Sequence, residues 1–151
     1  METGISLPEQ IRCAFGSRET DIRRYSPLAL AYMGDAVYDL IIRSAVVERG
    51  NRAANRLHHH AVKYVNAGAQ AAMAAALQEI LTEEEAAVYR RGRNAKSHTA
   101  AKNASIEDYR KATGLEALIG YLYLTDRFDR ILELVKQGLE RAGLNGLEKE
   151  E

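Results

Sequence analysis

The chain has 151 residues, 46% of them apolar, with 21 basic and 21 acidic side chains and a formal net charge of zero. That is enough for one domain with its own core, and too apolar for a disordered chain. A globally basic nucleic-acid binder is excluded, while a local basic patch is not.

Cys13 is the only cysteine, so intrachain disulfides and CxxC-type metal sites are excluded, and a reduced, cytoplasmic setting is expected. A buried structural thiol is the default for it. The start METGISLPEQ has neither a basic n-region nor an apolar run, so no signal peptide is expected, and no stretch is apolar enough to span a membrane.

The pattern predicts an all-α fold, a helical bundle. A short amphipathic helix covers about Pro8 to Phe15, and a linker runs to Tyr25. Ser26-Pro27 reads as N-cap and first helical position of a helix that continues to about Glu48 and stops at Gly50. Asn51 is placed as the cap of a long helix reaching Ile80, with the small-residue section AGAQAAMAAAL inside it. Thr82 with Glu85 forms a capping box that opens a helix ending near Gly92. Arg93 to Asn103 reads as loop. Ser105 caps a helix to about Leu124, and Thr125 or Asp126 caps a last helix ending near Gly143. The expected organisation is an N-terminal helix and linker (1–25), one main domain (26–143) and a frayed tail (144–151).

Two helices carry charge among apolar residues. SPLALAYMGDAVYDLIIRSAVV is apolar nearly all round, the mark of a central helix. Asp35 lies on one of its apolar faces, and Gly34 beside it permits close approach of a backbone or a ligand. ATGLEALIGYLYL holds one charge, Glu116. A buried carboxylate must be paired, neutralised or bound to a cation. Two readings fit. Asp35 and Glu116 form a shared site for a hard cation, Mg²⁺ with Mn²⁺ as substitute. Alternatively, Asp35 pairs with Arg43 or an arginine from elsewhere, and Glu116 with Lys111 or a basic residue on another helix, in plain ion pairs. Asp39, one turn from Asp35, is the weaker member of this set.

The segment Arg90 to Asn103 has five Arg or Lys and no acid. Arg91, Arg93, Asn94, Lys96, Ser97 and Lys102 are candidate contacts to a nucleic-acid backbone; the alternative is a solvated loop paired with Glu83 to Glu85. Arg23, Arg24, Arg52, Arg56 and Lys63 could extend the patch. His58-His59-His60 point about 100° apart on a helix and cannot chelate one ion together.

In combination these segments resemble the ribonuclease III family. Its signature helix corresponds to LALAYMGDAVY (28–38), its second acidic motif to TGLEALIGYLY (113–123), and its intervening Lys-Ser to Lys96-Ser97. Ala31 and Thr113 stand where the family has two further acids. The pattern is that of the family's compact branch, without a separate double-stranded-RNA-binding domain. The resemblance implies a two-fold homodimer and metal-assisted hydrolysis of double-stranded RNA. Asp35 and Glu116 would be the catalytic, metal-holding acids, the products 5′-phosphate and 3′-hydroxyl ends, and the substrate a large-subunit (23S) ribosomal RNA precursor. Two rival classes remain: a non-catalytic structured-RNA or ribosome-binding protein on the same scaffold, and a helical interaction module.

Overall fold

A computed structural model describes residues 5–18, 21–96, 105–144 and 146–147. Among them are seven α-helices and no strand: α1 (Leu7–Phe15), α2 (Pro27–Glu48), α3 (Ala54–Val62), α4 (Ala67–Leu77), α5 (Glu83–Asn94), α6 (Ile106–Leu124) and α7 (Phe128–Arg141). Short 3₁₀ turns precede α2 (Ile22–Arg24) and follow α4 (Gln78–Ile80).

The helix starts follow local chemistry. Ser26 accepts from the Ala29 amide and Pro27 opens α2. Thr82 and Glu85 form the reciprocal capping box of α5, and Ser105 accepts from the Asp108 amide to open α6. Each places a side-chain oxygen on an amide that the first helical turn cannot satisfy.

Three expected boundaries shift. The single helix from Asn51 to Ile80 is two, because the chain turns at Lys63–Asn66 and Asn66, not Asn51, caps α4 by accepting from the Ala69 amide at 2.8 Å. α5 runs past Gly92 to Asn94, so Arg93 and Asn94 are helical rather than loop residues. Gly92 is there for packing: a Cβ on it would meet the Ala117 Cβ at 2.6 Å. Neither Thr125 nor Asp126 caps α7. The Thr125 hydroxyl donates back to the Tyr121 carbonyl, closing α6, and Asp126 takes a left-handed turn.

α6 is the centre, buried at ten positions from Ala112 to Tyr123 and packed by α2, α4 and α5, while α7 closes over α4. α2 is less enclosed than its composition implies. Leu30, Ala31, Val37, Tyr38, Ile42 and Val46 are buried, but Tyr32 (84% exposed), Leu40 (53%) and Val47 (52%) form an outward stripe with Arg43. The buried Glu85 carboxylate is held by two hydrogen bonds from Arg130 at 2.8 and 2.9 Å, which ties the start of α5 to α7. That bidentate pair holds the Glu85 carboxyl below its usual range. Cys13 is exposed on α1, not buried, because the residues around it cover only one side of that short helix. No helix among the described residues is long and apolar enough to cross a membrane.

Candidate active site

α2 and α6 cross at bare backbone. A Cβ on Gly34 would lie 1.7 Å from the Glu116 carbonyl oxygen, and one on Gly120 would lie 1.9 Å from the Leu30 carbonyl oxygen. Only glycine at both positions lets the axes come this close. The residue following Gly34 is Asp35, and the carbonyl that Gly34 abuts belongs to Glu116. The crossing therefore sets the two carboxyls on one cleft, close enough for the Asp35 charge to bear on Glu116.

The pair faces a cleft of about 360 Å³ between α2, α4 and α6. Leu28, Ala31, Tyr32, Gln70, Tyr109 and Thr113 contribute to its walls with the two acids. Asp35 stands exposed at the mouth, and Glu116 is half-buried behind it. Gln70, on α4, donates its amide N–H to Glu116 Oε2 at 3.1 Å. Burial and then the Asp35 charge push the Glu116 carboxyl up to about 8, against the opposing effect of the Gln70 hydrogen bond. The cations that offered a plain ion-pair explanation are engaged elsewhere: Arg43 pairs with Asp39 at 2.9 Å, and Lys111 with Glu107 at 3.1 Å.

The donor set is all oxygen, two adjoining carboxylates in an open cleft that repel when both are charged. Such a set suits a hard divalent cation that keeps several of its waters. Among the described residues no group of three or more His, Cys, Asp or Glu is placed to hold a metal. Ala31 and Thr113 line the cleft, and the Thr113 hydroxyl is turned to the Tyr109 carbonyl at 2.9 Å. His58 and His59 are exposed, while His60 packs against Tyr64.

Of the candidate backbone contacts, Arg91, Arg93 and Asn94 sit on the last turn of α5, with Lys96 just beyond; Ser97 and Lys102 lie outside the described residues. Arg93 lies 5.8 Å from the Tyr89 ring centroid, and its Nε donates to Asn94 at 3.2 Å. Arg93 and Asn94 share a cleft with Ile106, Glu107, Arg110 and Lys111 of α6. The first turns of α6 thus line the basic cleft, and the next turns line the acidic one. Sequence reasoning missed Arg110 and Gln70. Arg110 could have been found three residues before Thr113, on the helix face that leads to Glu116. Gln70 could have been found as the one polar side chain in AGAQAAMAAAL.

The sequence profile of the ribonuclease III domain matches residues 28–127. The chain is 49% identical over 125 residues to the Mini-ribonuclease 3 of Enterococcus faecalis, covering 82% of this chain and 95% of that protein. It is 51% identical over 118 residues to the Mini-ribonuclease 3 of a Thermoanaerobacter species, covering 76% and 83%. The X-ray crystal structure of protein FN1578 from Fusobacterium nucleatum superimposes with a TM-score of 0.70 at 32% identity, over 78% of this chain and 93% of that one. With the two acidic motifs meeting at one crossing of an all-helical fold, the chain belongs to the ribonuclease III family, metal-dependent endoribonucleases that cut double-stranded RNA.

The raised Glu116 value has a stability consequence. The carboxyl binds its proton more tightly folded than unfolded, so without a cation the fold loses stability as pH rises from the ordinary carboxylate range towards 8. In EDTA, Glu116→Gln is expected to melt a few degrees above the parent at pH 8 and at nearly the same temperature at pH 4. A gap that does not widen with pH in thermal melts would show that the acid is not strained in the cation-free fold.

Proposed function

We propose that Asp35 and Glu116 are the catalytic acids and hold a divalent cation, Mg²⁺ with Mn²⁺ as substitute, for hydrolysis of double-stranded RNA. The observation that carries this reading is the meeting of two carboxyls in an open cleft that, among the described residues, no Lys or Arg side chain lines. When bound, the cation would neutralise phosphate charge and acidify a water. Asp35, at the mouth, orients the phosphate side of the site; Glu116, half-buried, anchors the inner side. Hydrolysis leaves 5′-phosphate and 3′-hydroxyl ends. Ala31 and Thr113 leave this pair without the family's two further acids, so Asp35 and Glu116 would be the acids of this site that hold the cation.

Arg91, Arg93, Asn94, Lys96, Ser97 and Lys102 are proposed to hold the RNA backbone, with Arg110, which shares a cleft with Arg93 and Asn94, as a further contact. A-form duplex is recognised through shape, phosphates and 2′-hydroxyls, so sequence preference is modest. Residues 26–143 form the catalytic domain, preceded by an N-terminal helix and linker. Resemblance to the compact branch makes the large-subunit (23S) ribosomal RNA precursor, in the cytoplasm, the proposed substrate. The enzyme is proposed to act as a two-fold homodimer. The stripe of Tyr32, Leu40 and Val47 on α2 supports this, with Val62 of α3 also exposed: together they leave a patch of apolar side chains in water.

Three measurements test these assignments. Purified protein is expected to cleave long duplex RNA with Mg²⁺ and not with EDTA, and Asp35→Asn to lose at least 100-fold in rate, on the order of what an electrostatic group in a site contributes, while retaining RNA binding. Full activity in that variant would remove Asp35 from the site. Lys96→Ala should weaken RNA binding and lower its log–log salt slope by about one; an unchanged slope means that Lys96 does not touch phosphate. Sedimentation at micromolar concentration should give twice the 16.8 kDa chain mass, and a monomer there would refute the dimer.

A further inference from the structure

α4 is built from Ala, Gly, Met and Leu with one long polar side chain, Gln70. That side chain is only 4% exposed. A primary amide is removed from water in this way when it has hydrogen-bond partners to meet. Its N–H reaches Glu116 Oε2 at 3.1 Å across 46 residues of sequence. The delivery is rigid: Asn66 caps α4 one turn earlier, and the neighbours Ala69 and Ala71 are buried and small enough to let α4 lie close to α6. Gln70 thus meets Glu116 from α4, while Asp35 meets it from α2.

We propose that Gln70 is a positioning residue for the active site: its amide holds one oxygen of Glu116 and thereby turns the other towards Asp35 and the cation. This rests on the reading of Glu116 as a cation ligand. The chemistry favours an amide over an acid at this place. An amide N–H donates to a carboxylate without adding a negative charge to a pair that already repels, and it cannot itself bind the cation through nitrogen. Partners that orient a ligand in this way set metal affinity although they do not touch the metal.

The test uses the full chain with Mn²⁺ as probe. Binding is followed by electron paramagnetic resonance without RNA, and cleavage of a duplex RNA is followed in parallel. Gln70→Met keeps the side-chain length and removes the donor; Gln70→Asn keeps the amide but withdraws it by one methylene, and serves where the first variant does not fold. Either is expected to weaken Mn²⁺ binding by at least 10-fold, in the range found for such oriented ligands. Turnover should fall by a similar factor with KM for RNA nearly unchanged, and higher Mn²⁺ should restore part of the rate. Glu116→Gln is titrated alongside. If it loses Mn²⁺ binding while the folded Gln70 variants bind Mn²⁺ and cleave like the parent, the role assigned to Gln70 is wrong and the cation site stands. If Glu116→Gln binds Mn²⁺ like the parent, the cation reading falls and the role of Gln70 falls with it.

Discussion

The crossing of α2 and α6 is the constraint on which the site depends. A methyl group on Gly34 or Gly120 would overlap a backbone carbonyl oxygen of the opposite helix, at 1.7 and 1.9 Å. A side chain at either position would force the axes apart, and the carboxyls of Asp35 and Glu116 would separate with them. Two glycines in helix interiors cost helix stability. Their return is a close approach of two helix backbones that sets an acid of each helix on one cleft.

That approach creates an electrostatic conflict rather than resolving one. Several acids among the described residues have a cationic partner: Glu85 has Arg130, Glu84 has Arg127 as well as Tyr121, and Asp39 has Arg43. Glu116 instead has another acid and one amide. Two acids set against each other in a cleft concentrate electrostatic strain at the candidate site. The zero net charge belongs to the same pattern. Basic residues gather where the end of α5 meets the start of α6, and the structural ion pairs take up acids elsewhere, so the total conceals a local field.

What could be read from the chain alone follows from the range of the interactions. Ser26, Thr82 and Ser105 were legible as caps because a cap is a hydrogen bond across three residues, and nothing distant competes for it. Asp35 and Glu116 stood out as candidates because a carboxylate among apolar helix residues must be paired, neutralised or bound to a cation, although plain ion pairs fitted the same pattern. The resemblance to the ribonuclease III family rests on the same ordered motifs, and the family match over residues 28–127 bears it out. The break between α3 and α4 was missed because no Gly or Pro marks it and good helix-forming residues lie on each side, while the turn at Lys63–Asn66 is accompanied by packing of Tyr64 into the core.

The sequence by itself determined the all-helical class, most helix starts and the two acids of the candidate site, since these depend on periodicity and on contacts within one turn. Only the tertiary structure decided that Asp35 stands at the mouth while Glu116 lies deeper, that Gln70 rather than a basic residue meets Glu116, and that Arg110 joins the basic end of α5. Each of those depends on the distance and rotation between helices far apart in the chain. That geometry is fixed by how the glycines and small residues of α2, α4 and α6 let their backbones approach, and no local pattern carries it.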